Sequence, residues 1–129
     1  MNTLDLIKMM TSNLKHLDVN LQEVKVKDAG SGRGTPKNCF NNAYLRRQGD
    51  DLYVLGYLLH STGDQHIPIE HAWIKRGDEY IDVTIKVREE DSYVSVVELT
   101  YEDIEGYVGQ YGHAPDLYSI NRFVGDKKV

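Results

Sequence analysis

Residues 69–85 read I-E-H-A-W-I-K-R-G-D-E-Y-I-D-V-T-I, two strand-forming stretches separated only by Gly77 and Asp78. A two-residue loop with glycine first suits a type II′ turn and fixes the register of the hairpin around it. That register sets Arg76 opposite Glu79, Ile74 opposite Ile81, Trp73 opposite Asp82 and His71 opposite Thr84. Side chains alternate along a strand, so His71, Trp73, Asp82 and Thr84 share one face. Ala72, Ile74, Ile81, Val83 and Ile85 take the other. His71 and Asp82 become diagonal neighbours about 7–8 Å apart at Cα, a gap that an imidazole and a carboxylate can span. A slip of one residue would put them on opposite faces, which makes the pairing a sharp expectation.

The only cysteine, Cys39, lies in T-P-K-N-C-F-N-N-A-Y-L. Thr35 suits a helix N-cap and Pro36 the first helical position, which places Cys39 in the first turn. Phe40, Ala43 and Tyr44 would form the inward stripe, and Gly49 would end the helix as the residue after its C-cap. A helix start favours a thiolate, and nearby cations add to the effect. Between residues 29 and 49 there is no acidic residue, whereas Arg33, Lys37, Arg46 and Arg47 are all present. An inert cysteine packed as a small hydrophobe is the competing reading.

Around these pieces the pattern is that of an α+β chain. Residues 3–17 space Leu4, Ile7, Met10, Leu14 and Leu17 as one face of an amphipathic helix. Residues 19–27 read as a strand. The loop D-A-G-S-G-R-G at 28–34 lacks the Lys-Ser/Thr pair of a P-loop and the G-x-G-x-x-G of a dinucleotide fold. The apolar run 52–59, with Gly56 inside it, reads as a buried central strand whose glycine lets a neighbour approach closely. Residues 60–68 read as a polar loop and 93–97 as a strand. Thr100 with Asp103 resembles a capping box opening a helix through about Val108. Residues 109–115 read as a loop, 117–124 as a last strand, and G-D-K-K-V as a frayed end.

At 129 residues the chain fits one domain, with 40% apolar and 27% charged residues. Its net charge of −5 argues against non-specific nucleic-acid binding. One cysteine leaves no internal disulfide and no multi-cysteine zinc cage. The first ten residues include Asp5 and Lys8 and do not fit a secretory leader. No run approaches the ~18 apolar residues of a membrane span. A soluble protein of the cytoplasm is expected, with no cofactor and no metal. His60, His66 and His71 follow no zinc spacing.

Cys39, His71 and Asp82 have the chemistry of a nucleophile, a base and an orienting acid. The imidazole takes the thiol's proton and later returns it to a leaving group, and the carboxylate fixes the ring's tautomer. Asn38, Asn42 and Trp73 are the expected oxyanion or substrate-contacting residues, the amides acting with backbone N–H groups at the helix start. C-F-x-N-A, then L-G-Y, then P-I-E-H-A-W-I, then Y-I-D-V-T resembles the papain-like and transglutaminase-like cysteine enzymes over about residues 33–85. The H-A-W … I-D-x-T segment is the specific part. Such enzymes carry the cysteine on a helix start and the histidine and acid on sheet strands. The resemblance implies a single papain-like or transglutaminase-like domain, with the helix bearing Cys39 packed on a mostly antiparallel sheet. It also implies that Cys39, His71 and Asp82 are a triad, acting on an amide- or acyl-bearing substrate, a protein or an anionic small molecule. The papain pattern C-G-S/A-C-W is missing, no glutamine occurs in residues 28–38, and Val83 stands where D-P-T would have proline. A catalytically inactive binding or inhibitor module on the same scaffold is the alternative.

Overall fold

A computed structural model describes residues 2–128. The chain is α+β, its elements running α1 (Thr3–Met10), β1 (Gln22–Val24), β2 (Val26–Asp28), α2 (Cys39–Leu45), β3 (Leu52–Ser61), β4 (His66–Arg76), β5 (Glu79–Asp82), β6 (Ser92–Leu99), α3 (Tyr101–Tyr111) and α4 (Leu117–Lys127). A single turn of 3-10 helix at Gly30–Gly32 follows β2.

The six strands form one sheet in the order β1-β6-β3-β4-β5-β2. Every pairing is antiparallel except that of β2 with β5. β1 and β2 occupy opposite edges, yet only Lys25 separates them in the chain. Six flat strands would hold their edges about 24 Å apart, at about 4.8 Å per step. A chain advances at most about 3.6 Å per residue, so the sheet curls until its edges meet. Contacts between β5 and β6 require the same curl, because β3 and β4 lie between them. The Tyr80 hydroxyl donates to Glu98 across that gap, and Tyr93 donates to Asp82 at 2.7 Å.

The curl produces two cores. On the inner face Val26, Val54, Leu58, Trp73 and Tyr93 pack together, with Val54 opposite Trp73 and Leu58 opposite Tyr93 in the ladders. On the outer face Leu55, Ala72, Ile74 and Ile81 pack under the helices, which contribute Ile7, Ala43, Ile104, Leu117, Ile120 and Phe123. Gly56 stands where β6 bulges by one residue, at Val96. A Cβ there would lie 2.1 Å from the Val94 carbonyl oxygen and 2.8 Å from the Trp73 ring, so the expected close approach at this glycine is real.

The hairpin register matches expectation, with Ile74 opposite Ile81 and Arg76 opposite Glu79. Gly77 takes φ 60° and Asp78 does not take a positive φ, as a type II′ turn requires. The ladder stops at Ile74↔Ile81, however, and β5 ends at Asp82, so the expected Trp73–Asp82 and His71–Thr84 backbone pairs do not form. The capping box at Thr100 and Asp103 is present, and its helix continues past Val108 to Tyr111, where Gly112 closes it at φ 78°.

Five expectations are corrected. The first helix stops at Met10 instead of running to 17, because the Thr11 and Ser12 hydroxyls take the Ile7 and Met9 carbonyls. The strand expected at 19–27 is two strands on opposite edges. The expected loop at 60–68 shrinks to a turn at 62–65, closed by Thr62 N–H on the Gln65 carbonyl, because β3 and β4 extend into it. Residues 117–124 belong to a helix, not a strand: Asp116 caps it on Ser119 N–H, and Leu117, Ile120 and Phe123 are its buried stripe. The expected frayed end is helical through Lys127, and its last residue, Val129, lies outside the described residues.

Candidate active site

α2 begins at Cys39, not at Pro36. Lys37 takes φ 64°, a left-handed conformation that costs a non-glycine residue about 1 kcal/mol and stops the helix from starting earlier. Asn38 becomes the N-cap, but its side chain caps nothing; its Oδ1 accepts from Asn41 Nδ2 at 3.2 Å instead. Thr35 and Pro36 lie in the loop before it. The helix ends at Leu45 with Arg46 as C-cap, so Gly49 belongs to the following turn and not to the cap. Cys39 is half-buried and packs against the rim of the outer core, beside Phe40 and Tyr44.

Asn42 clamps this loop to the hairpin. Its Nδ2 donates to the Thr35 carbonyl at 2.7 Å and to Thr84 Oγ1 at 3.0 Å. Gly34 N–H donates to the Val83 carbonyl close by. A Cβ on Gly34 would lie 2.3 Å from Asn42 Oδ1, so residue 34 must be glycine for the clamp to close. Both amide protons of Asn42 are thus engaged. This makes Asn42 the fastener that sets the start of α2 against the bend after β5, with neither amide proton free for an oxyanion.

His71 and Asp82 come together from β4 and from the end of β5. His71 is 6% exposed and Asp82 wholly buried, with Nε2 and Oδ2 2.8 Å apart. A buried carboxylate costs several kcal/mol unless its oxygens are satisfied. Asp82 divides its acceptors: Oδ1 takes the N–H groups of Thr84 and Ile85, which folds the chain away from β4, and Oδ2 takes His71 and the Tyr93 hydroxyl. Burial alone would raise the Asp82 carboxyl, but the bonds from His71, Tyr93 and Ile85 outweigh it and hold it below its ordinary value. Burial likewise works against charge on His71, but the hydrogen bond it donates to Asp82 and the nearby Cys39 sulfur outweigh it and raise the ring to about 9.

Trp73 is wholly buried on the same face of β4 as His71, edge-on to Tyr93 at 5.1 Å between ring centroids. Its indole meets the inner core and the Gly56 backbone, and its Nε1 has no partner. It is a wall behind the His71 ring, 6.2 Å away, rather than a surface for substrate. Asn38 is exposed beside Cys39. The cations of the 29–49 stretch brace the loop: Arg33 Nε donates to the Gly30 carbonyl and Arg46 Nη1 to that of Gly32. Arg47 stacks on Tyr44 and Tyr101.

Tyr93 and Thr84 were not foreseen as site residues. Tyr93 reaches Asp82 only because the sheet curls, and nothing local in the sequence announces the curl. His60 keeps company with Arg88 and Asp91 instead of His66 or His71, and among the described residues no three His, Cys, Asp or Glu side chains form a metal-binding group. No helix among them is long and apolar enough to cross a membrane. No protein-family model, curated protein or solved structure matches the chain.

Proposed function

We propose that this chain is a cysteine-dependent hydrolase or acyl/amide transferase, built on a papain-like or transglutaminase-like core and working through a thioester. One observation carries the reading: a buried imidazole bound through Nε2 to a buried carboxylate at 2.8 Å, with the first residue of α2, a cysteine, close enough to bear on the ring's protonation. Structural ion pairs of this burial are costly, and a charged histidine in the neighbourhood of a thiol is the arrangement that nucleophilic catalysis needs.

The raised proton affinity of His71 draws the thiol's proton onto Nδ1, the nitrogen that Asp82 does not use. The sulfur attacks the carbonyl carbon of an amide or ester, and the carbonyl π electrons move onto its oxygen. Collapse of that intermediate breaks the C–N or C–O bond. The leaving group takes the proton from Nδ1, and a thioester remains on Cys39. Water or an amine then attacks the thioester carbonyl, its proton passes to Nδ1, and the C–S bond breaks to release the Cys39 thiolate; water gives hydrolysis or deamidation and an amine gives transfer. Asp82 keeps the ring turned toward the sulfur throughout and stabilises its charged form. Asn38 and the N–H groups at the start of α2, which carry no side-chain cap, are the donors left to meet the oxyanion. A reducing cytoplasmic setting would keep the thiol free.

Cys39 packs against apolar neighbours at the core's rim, the feature that favours the second reading, an inactive binding module on this scaffold. Intact mass after exposure to a p-nitrophenyl ester separates the two. The enzyme reading predicts an acyl adduct on wild type that hydroxylamine removes, and neither adduct nor turnover in folded Cys39→Ala. Turnover surviving in Cys39→Ala would remove the enzyme reading.

A further inference from the structure

We propose that Tyr93 is a positioning residue of this site, its hydroxyl holding Oδ2 of Asp82 toward His71 Nε2; this role rests on Cys39, His71 and Asp82 being the catalytic set. The β4–β5 ladder ends at Ile74↔Ile81, one residue before Asp82, so no strand pairing with β4 holds the Asp82 backbone beside His71. β2 holds the Asp82 backbone from the far side, Asp28 pairing with it and Ala29 N–H donating to its carbonyl, and the direction of the carboxylate is set by its side-chain hydrogen bonds. The two on Oδ1 come from the bend at Thr84 and Ile85 and move with it. Tyr93 is the donor to the carboxylate from outside the hairpin. It donates from β6 at 2.7 Å and is 2% exposed, and the Trp73 ring meets it edge-on. Phenylalanine would fill the same space, so packing alone does not call for the hydroxyl.

The hydroxyl also divides the carboxylate's charge. With two donors on one oxygen, Asp82 supports the imidazolium without holding its proton as tightly as it would alone. Burial and the adjacent Asp82 push the Tyr93 hydroxyl upward, so it stays protonated and remains a donor wherever the site works. The charged and titratable groups that bear on His71 are Cys39 from α2 and Asp82 from β5. Those that bear on Tyr93 are Asp82, then Asp91 just before β6 and Asp28 on β2.

The test reads the His71 titration by imidazole NMR in the Cys39→Ala protein, with residue 93 as tyrosine, as phenylalanine through Tyr93→Phe, or as site-specifically incorporated 3-fluorotyrosine. Tyr93→Phe leaves the full charge of Oδ2 to His71 and should raise the midpoint by about half a pH unit or more. The fluorinated hydroxyl is a stronger donor and should lower it. With Cys39 present, Tyr93→Phe should cut kcat by about tenfold, leave KM nearly unchanged and move the alkaline limb of the rate profile upward. An unmoved midpoint in folded Tyr93→Phe, or both changes shifting it the same way, overturns the proposal. If Tyr93→Phe does not fold, the sign of the 3-fluorotyrosine shift decides alone. The NMR arm needs no turnover, so an inactive wild type would sink the enzyme reading and leave the role of Tyr93 to be judged separately.

Discussion

Asp82 on β5 and Tyr93 on β6 meet at 2.7 Å although two whole strands, β3 and β4, stand between theirs in the sheet. The contact exists only because the sheet curls, and it places a polar pair inside a core of Val54, Leu58 and Trp73. Fold and chemistry are joined there. The same carboxylate that closes the curl turns the His71 ring.

Asp82→Asn tests that junction. The carboxylate accepts from four donors, and an amide has one accepting oxygen. Either the bend or the His71–Tyr93 side then faces an N–H₂ group. A stability loss of about 2–3 kcal/mol is expected in urea denaturation, from buried donors left unpaired. Turnover should fall by about a hundredfold or more, because the ring loses its tautomer and its counter-charge. Wild-type rates in this variant would make Asp82 structural only.

Stability should depend on pH through His71. Its folded value is raised to about 9, above the ordinary unfolded value of about 6.5. The folded state then holds the proton more tightly. The stabilisation is present below about pH 6.5 and is lost as pH rises through the raised folded value. Urea midpoints across that window should fall in Cys39→Ala, where no thiol proton offsets the ring's, and change much less when His71→Gln is added. A rise in the stability of Cys39→Ala with pH over that range would contradict the charged ring.

Gly56→Ala should be among the most damaging changes outside the site. Its methyl would meet the Val94 carbonyl oxygen on the bulged strand β6 and the wholly buried Trp73 ring on β4, neither of which has room to retreat. The expected cost is about 3 kcal/mol or more, at the upper end for overpacking. Trp73 is the only tryptophan, so its emission reports the inner core directly. Near-native stability with an unshifted emission maximum would refute this account of the glycine.

The hairpin was legible because its information is local: Gly77 and Asp78 fix the turn, and the turn fixes which residues face each other. The alignment of His71 with Asp82 followed from it, although the two meet through side chains beyond the end of the ladder. The start of α2 was misplaced by three residues because Thr35-Pro36 is a strong helix opening that Lys37, at positive φ, does not continue. The last helix was misread because L-Y-S-I-N-R-F-V is rich in strand-forming residues. Asp116 ahead of Leu117, and apolar residues at three-residue steps, were the signals for a helix. The split of Gln22–Val24 from Val26–Asp28, and with it Tyr93 at the site, depended on pairings with β5 and β6 far along the chain.

Alkylation of Cys39 by iodoacetamide, followed against pH in wild type and in His71→Gln, tests the central claim without any knowledge of substrate. The site described predicts labelling at about pH 6 that is at least about tenfold faster than that of an ordinary free thiol, and that falls to the ordinary rate when His71 is replaced. Labelling that is slow at that pH, climbs only in alkali and ignores the loss of His71 would contradict it.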